Sequence, residues 1–564
     1  LDPYHASSST FTEGNLKATE VGGAYTHTMI STLGMSSGKW YFEFCGVNSD
    51  NTWMIGLCDI SLDSSRGYGG TPNGGGQGLY LYVNGEKYYP TLSSSYGTSW
   101  TYGDVIGVAV DLDNNAMYFA KNNTWMNSGV PTSGSSKTGA AYTTELANRT
   151  WAAAMGRGSY ANTIIGTFNF GQDSSFAGNK TAQGNGGVGE DFYYTPPTGY
   201  KALNTDNLDD PSIDDPTKHF NTKLWTSTSA DGTSALGAVT GVGFQPDLVW
   251  AKGRTAAWNH SLFNSVMGTG LGKALYTDVT YEAGAYDTSG YGNVTSFDSD
   301  GFTVGLTAGN NYAYNYGSGA KYVAWNWKAG GTASSNSDGA ITSSVSANPT
   351  VGFSIVSWTA SGTNNDTVGH GLSVVPELII MKSIDGARAD ARDWYAYTQA
   401  IDGSLDFLLL NGTNAKQDSG ANVPTSSVFS VIGSTVNTSG ENIIGYCFHS
   451  VDGYSKVGTY IGNASTDGPF VYTGFRPAWV MLKNTTTGGG GYNWVINDSK
   501  RVGYNADNPR LRANLTGIED DTGRLDIFSN GFKLTQTYNE ANQSGANFIY
   551  LAFAESPFKY SNAR

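Results

Sequence analysis

Hydrolysis of a glycosidic bond needs two carboxyl groups about 5 to 10 Å apart. The sequence offers three close sets: Asp298 with Asp300, Asp390 with Asp393, and Glu519 with Asp520 and Asp521. All three sit in Gly- and Asn-rich turns, where acids serve backbone conformation, so spacing alone leaves them turn residues. Asp111-Leu112-Asp113-Asn114 has the opening of a calcium loop but lacks the later bidentate acid, and a hairpin turn accounts for it better. The six histidines, His5, His27, His219, His260, His370 and His449, stand at no metal-ligand or catalytic-pair spacing. Three cysteines, Cys45, Cys58 and Cys447, are too few and too scattered for a zinc site or a disulfide framework. Cys45 and Cys58 are expected as buried thiols. No phosphate loop or nucleophile elbow stands between a strand and a helix. The expectation is a chain that is not an enzyme and that holds no metal and no cofactor.

Recognition is the chemistry better served. Tyr281, Tyr286 and Tyr291, then Asn310-Asn311-Tyr312-Ala313-Tyr314-Asn315-Tyr316, lie in Gly-, Ser- and Asn-rich sequence. Tyrosines in such loops offer large amphipathic contact area at low side-chain entropy cost. Tyr312, Tyr314 and Tyr316 are therefore candidate ligand-binding residues. Packing against a neighbouring copy or subunit is the competing use of the same side chains.

The 564 residues include 75 glycines, 13% aromatics and only 14% charged residues, against the usual quarter or so. This reads as a β-rich extracellular or virion-surface chain. A hydrophobic share of 39% with Trp and Tyr spread end to end argues against disorder. A formal charge of −15 with no Lys/Arg cluster excludes the electrostatic footprint of nucleic-acid binding. No apolar run approaches the roughly 18 residues of a membrane-spanning helix, so no membrane insertion is expected. No signal-type segment opens the chain, although a start at Leu1 leaves a preceding segment open.

Helical periodicity is hard to find, and short alternating strands between Gly, Asn, Asp and Ser clusters dominate. The acidic, proline-bearing stretch Asp209 to Pro216 reads as the end of a linker over 201–218, and Gly330 to Ser337 as a flexible break. Between these breaks one order of landmarks recurs three times. A proline is followed six residues later by lysine: Pro246 and Lys252, Pro376 and Lys382, Pro477 and Lys483. A strand ending in an aromatic precedes each. A tryptophan follows (Trp258, Trp394, Trp494), then a strand around Phe302, Phe429 or Phe532, then a closing aromatic strand. Shared positions are expected to build the core, so the three tryptophans read as structural. The lysines are expected along a sheet edge or snorkelling. Function should sit where the copies differ, and the first is longest: 44 positions separate Trp258 from Phe302, against 35 and 38 in the other two.

Ahead of the repeats, Ser37-Gly38-Lys39-Trp40-Tyr41-Phe42-Glu43-Phe44, then Ile55-Gly56-Leu57-Cys58, then Gly103-Asp104-Val105 through Lys121-Asn122, and finally Phe168-Asn169-Phe170-Gly171-Gln172, follow one another in order. These strings resemble the SPRY family over roughly residues 10 to 178. The resemblance implies a lectin-like β-sandwich that binds partners through loops at one end. Loops of that kind are Gly67 to Gly76 and Ser93 to Trp100, and Tyr96 and Trp100 join the candidate ligand-binding residues. The repeat region and the ending Ser556 to Arg564 resemble tail or fibre proteins of marine bacteriophages.

The expected architecture is all-β: an SPRY-like sandwich over 1–200, a linker over 201–218, and three tandem related β-sandwich repeats over 219–331, 332–452 and 453–564. The resemblances imply a virion structural and adhesive protein, a tail fibre or receptor-binding component on the particle surface. Its expected partners are a host-surface glycan or protein, other virion proteins and copies of itself, with a trimer the usual state of fibres. A polysaccharide depolymerase and a capsid-surface or tail-assembly protein without a receptor are the alternatives.

Overall fold

A computed structural model describes the chain apart from residues 2–8, 22–27, 49–51, 61–77, 90–91, 148, 159–161, 188–189, 209, 307–309, 386–392, 434–435, 502–504, 506–507, 523–524 and 562–564. It divides into two compact units, Leu1–Asp209 and Asp210–Arg564. Strands dominate both, as the alternating patterns require.

The first unit is a sandwich of two antiparallel sheets. One orders Ser9–Thr12, Lys17–Glu20, Ile164–Asn169, Lys39–Gly46, Val105–Asp111, Ala116–Lys121 and Thr124–Trp125; the other orders Met29–Met35, Trp151–Arg157, Trp53–Asp59, Gly78–Tyr82, Glu86–Tyr89 and Leu92–Ser95. Alternate residues of the facing strands, among them Phe42, Phe44, Ile55, Leu57, Val108, Val110 and Phe168, make the core. The hairpin read at Asp113 is present, and the Asp111 carboxylate accepts from the Asn114 N–H at 3.0 Å and pairs with Lys39 at 3.0 Å. Cys45 and Cys58 are buried free thiols, pushed up by burial to about 11 and about 12 respectively.

Strand Lys39–Gly46 is buried on both faces. Its outward Tyr41 packs with Ala109, Tyr118, Phe192 and Tyr200, so the segment around 192–202 covers the sheet. Glu43 fixes that cover: its carboxylate accepts from the Tyr193 and Tyr194 N–H groups, both at 2.8 Å, from Asn169 Nδ2 at 3.1 Å and from the Tyr41 hydroxyl at 3.1 Å. The stretch read as a linker from 201 onward starts within this unit instead. Lys201–Ala202 add a parallel strand beside Trp40–Tyr41, and Leu203 is buried in the sandwich core.

In the second unit each copy builds one large and one small sheet. The large sheets share an order: Phe220–Thr226, Lys321–Trp327, Leu248–Gly253, Ser261–Asn264 in the first; Phe353–Thr359, Asn442–Phe448, Leu378–Ser383, Tyr395–Thr398 in the second; Ser455–Ile461, Asn547–Pro557, Phe475–Asn484, Val495–Asp498 in the third. Alternation assigns each face a core. Outward Val249, Ile379 and Val480 pack against the copy's own small sheet. Inward Trp250, Ile380, Trp479 and their neighbours from all three copies meet in one aromatic core. Burial on both faces is why these central strands read as unbroken apolar runs.

The copies are thus not separate beads, and both supposed breaks are structured. Ile213, inside the expected linker, is buried in the shared core. Ser334–Asn336, inside the expected flexible stretch, pair with Ser343–Val345 and extend the second copy's large sheet by a hairpin not found among the described residues of the other two copies.

Candidate functional site

The seams between copies explain the repeated landmarks. Backbone N–H groups of Ala283, Lys416 and Glu519 donate to the carbonyls of Ile384, Thr485 and Arg254 at 3.0, 2.9 and 2.8 Å, linking first to second, second to third and third to first copy in a closed ring. Each acceptor stands two residues beyond a repeated lysine. The lysines are neither at an edge nor snorkelling, because Lys252, Lys382 and Lys483 are fully buried. The Lys252 ammonium donates to the carbonyls of Gly253 at 2.9 Å and of Thr516, in the third copy, at 3.0 Å. Lys483 donates to Asn484 O and, in the second copy, Asn414 O, both at 2.9 Å. Lys382 lies 5.4 Å from the centre of the Trp394 ring. Backbone carbonyls satisfy the Lys252 and Lys483 charges in place of water, yet burial still pulls both down to about 8.

The tryptophan landmark needs a correction of two positions. Trp394 and Trp494 immediately precede equivalent strands and are buried, and their indole N–H groups donate at 2.8 Å to Tyr276 O and Leu409 O in the neighbouring copy. In the first copy that position is His260, not Trp258. Trp250 Nε1 donates to His260 Nδ1 at 2.8 Å, which makes Nδ1 the acceptor and Nε2 the donor to Arg512 O at 2.9 Å. His260 is buried and held neutral, its pKa pushed well below the usual value mainly by burial.

Trp258 is thereby released from the seam and becomes the centre of an aromatic shelf. It stacks on Tyr312 with centroids 4.9 Å apart and planes 15° from parallel. Tyr316 and Tyr291 meet it edge-on at 5.3 and 5.9 Å. Tyr286 stacks on Tyr291 at 4.6 Å, and Tyr281, 50% exposed, follows at 5.6 Å from Tyr286. Trp258, Tyr286, Tyr291, Tyr312 and Tyr316 are all half-buried.

Local hydrogen bonds set the shelf. Asn315 N–H donates to Asn311 O at 2.8 Å, a helical turn that brings Tyr312 and Tyr316 onto one side and sends Tyr314 the other way. The Tyr322 hydroxyl donates to the carbonyls of Tyr316 at 2.9 Å and Tyr312 at 3.2 Å. Gly232, at φ 74°, lies against the two rings, and a Cβ there would stand 2.9 Å from Tyr316. The Tyr291 hydroxyl donates to Asn259 Oδ1 at 2.8 Å, and Asn259 in turn donates to Asp278, whose carboxyl burial pushes up to about 6. Half-exposed rings held this way suit stacking against the apolar faces of sugar rings or other flat groups.

Tyr312 and Tyr316 are therefore together, whereas Tyr314 is fully buried, hydrogen-bonded at 2.8 Å to Ser261, and has no surface to offer. Tyr96 and Trp100 are corrected likewise. Tyr96 is 8% exposed and donates to Gly139 O at 3.0 Å, and Trp100 stacks on Trp53 at 5.9 Å inside the first unit. Loop Gly67 to Gly76 and Asp390 lie outside the described residues. Trp258, Tyr286 and Tyr291 are the members that position-by-position matching of the copies assigned to the core or left unranked. The signal for Trp258 was its distance from Lys252, six residues, against 12 and 11 for its supposed equivalents.

Five of the candidate acids are engaged elsewhere. Asp298 accepts from Ser296 and Thr303 hydroxyls, and Asp300 from the N–H groups of Gly241 and Gly243. Asp393 accepts from Asn411, Glu519 pairs with Arg254, and Asp520 with Arg510 and Arg512.

Residues 215–557 match the family model described as Domain of unknown function (DUF7483), and residues 39–147 match that of the SPRY domain. The SPRY match is narrower than the stretch read from sequence and lies inside the first unit. Among solved structures, the SPRY domain of human HERC1 is 18% identical, covering 30% of this chain and 95% of that one, with a TM-score of 0.23. The TRIM65 PSpry domain is 12% identical, covering 30% and 89%, with a TM-score of 0.23. Stonustoxin is 16% identical, covering 30% and 26%, with the same TM-score of 0.23.

Proposed function

We propose, since the chain belongs to the family described as Domain of unknown function (DUF7483) and carries an SPRY domain ahead of that region, that it is a non-catalytic recognition protein. In this reading it is a bacteriophage tail fibre or receptor-binding component at the virion surface, assembled with other virion proteins and with copies of itself. Its ligand is a host-surface glycan or protein. The observation that carries the reading is the aromatic shelf around Trp258 and Tyr312, built where the first copy departs from the other two. SPRY domains are generally binding domains without catalysis, which favours the same class. The depolymerase reading has less support, because Asp298, Asp300, Asp393, Glu519 and Asp520 are tied to turns and arginines.

The test is binding of the full chain to host cells and to an array of immobilised oligosaccharides. Trp258→Ala with Tyr312→Ala is expected to weaken binding about tenfold, from two stacking contacts of roughly 0.5 to 1.5 kcal/mol each. Ile518→Ala, at a side chain 52% exposed in the third copy, is the control and should leave binding unchanged. Equal binding by the double variant and the parent would remove the shelf from the site.

A further inference from the structure

The shelf does not end at Tyr281. The next two residues, Glu282 and Ala283, form part of the wall of an open groove of about 780 Å³ between the first and second copies. That volume lies within the range of small-ligand clefts, about 300 to 1,000 Å³. Lys273 and Glu282 line it from the first copy, and Ser344, Ser357 and Asn442 from the second. Its lining is rich in hydroxyl, amide and charged groups, with short apolar patches at Met267 and Ile384.

Both walls are features that the other copies do not share. One wall is the longer segment of the first copy, which Ala283 N–H joins to Ile384 O at 3.0 Å. The other includes the additional hairpin of the second copy, Ser334–Asn336 with Ser343–Asn348. At the second-to-third seam, Gly488 packs closely on Asn414 and Ala415. At the third-to-first seam the Arg254 guanidinium fills space beside Glu519, donating to both its carboxylate oxygens at 2.9 and 3.0 Å.

We infer that shelf and groove form one extended site for a glycan chain several units long, rather than for a single terminal sugar. The rings from Tyr316 through Trp258, Tyr291 and Tyr286 to Tyr281 follow one another with centroids 4.6 to 5.9 Å apart, edge-on about Trp258 and stacked or tilted beyond it, a continuous run of partly exposed aromatic surface. The groove continues that track with hydroxyl, amide and ammonium groups that match a polyol's donors and acceptors. The inference rests on the glycan reading of the shelf and adds chain length as the recognised property.

The experiment measures affinity of the full chain for size-graded oligosaccharides, two to ten units, of whichever glycan scores on the array. Affinity is expected to climb with length and then level off once the groove is filled. Lys273→Ala and Thr342→Ala, both lining the groove outside the shelf at surface-accessible positions, should each flatten that climb by about three- to tenfold on long chains while leaving the shortest binders unchanged. Length-independent affinity, or long-chain binding untouched by both variants, overturns the extended site and leaves the shelf reading standing. Failure of every glycan on the array to bind refutes the glycan reading and the inference together.

Discussion

Replacing Lys483 by Met tests whether the buried lysines pin the ring of copies. Met keeps most of the stem's volume and removes the ammonium, so the packing of the strand is preserved. The loss is two hydrogen bonds at 2.9 Å, one to Asn484 O and one across the seam to Asn414 O. Each buried carbonyl left without a donor costs about 1 to 3 kcal/mol, a total of about 2 to 6. Against it stands the relief of burying a charge. A fall from 10.5 to about 8 is roughly 2.5 units, or about 3 kcal/mol. At the middle of that range, about 4 kcal/mol, the carbonyl loss prevails, and the variant is expected to be about 1 kcal/mol less stable at pH 7 in denaturant unfolding of the second unit.

The pH dependence separates the two terms. Because the folded-state pKa is depressed, Lys483 binds fewer protons folded than unfolded between pH 8 and 10.5. Its contribution to stability is fully present above 10.5 and lost as pH falls through 8. The parent should therefore gain about 3 kcal/mol over the variant between those pH values, with the tyrosine titrations cancelling in the comparison. A variant as stable as the parent at pH 7, with no difference in slope, would refute the pin.

Trp394→Ala removes a fully buried indole and its bond to Tyr276 O, and should lower the stability of the second unit by about 3 to 5 kcal/mol in thermal or denaturant unfolding, leaving the first unit's transition in place. A fragment of residues 219–331 should show no cooperative melt by circular dichroism, because its inner face, including Trp250, Trp325 and Trp327, is covered by the other two copies. In the first unit, burial pushes Glu43 up to about 7 against the pull of its four donors. Stability from this raised group is fully present below pH 4.5 and is lost as pH rises through 7, by roughly 3 kcal/mol. Glu43→Gln should abolish that slope in pH-dependent unfolding.

The repeat was legible because every copy buries both faces of its central strand, and burial on two faces leaves a continuous apolar run that survives divergence elsewhere. The lysines were legible as a pattern but not as pins. Lysine is seldom buried, and the partners of Lys252 and Lys483 are backbone carbonyls, which any residue supplies and no sequence motif marks. Tyr312, Tyr314 and Tyr316 invited one common role by their even spacing, but a helical turn at Asn311 separates the middle one from its neighbours. Tyr96 and Trp100 stood in Gly- and Ser-rich sequence of surface character while their rings fill the sandwich core. Composition reports the solvent preference of a segment, not the direction of each side chain in it.

His260 links the closed ring of copies to the aromatic shelf. A closed ring of three copies requires three seam donors, and an indole N–H at Trp394 and Trp494 supplies two of them. Imidazole meets the same requirement only if its second nitrogen is held as an acceptor, which Trp250 does at 2.8 Å. Once that donor is in place, the ring closes without a tryptophan in the first copy's seam. Trp258, two residues earlier, is then free to face solvent among the tyrosines of the longest inter-landmark segment. Symmetry in the core and asymmetry at the surface therefore have one cause: the seam fixes hydrogen-bonding capacity at a position rather than the residue that supplies it. The copy that satisfies its seam differently is the one left with partly exposed aromatic rings at its surface.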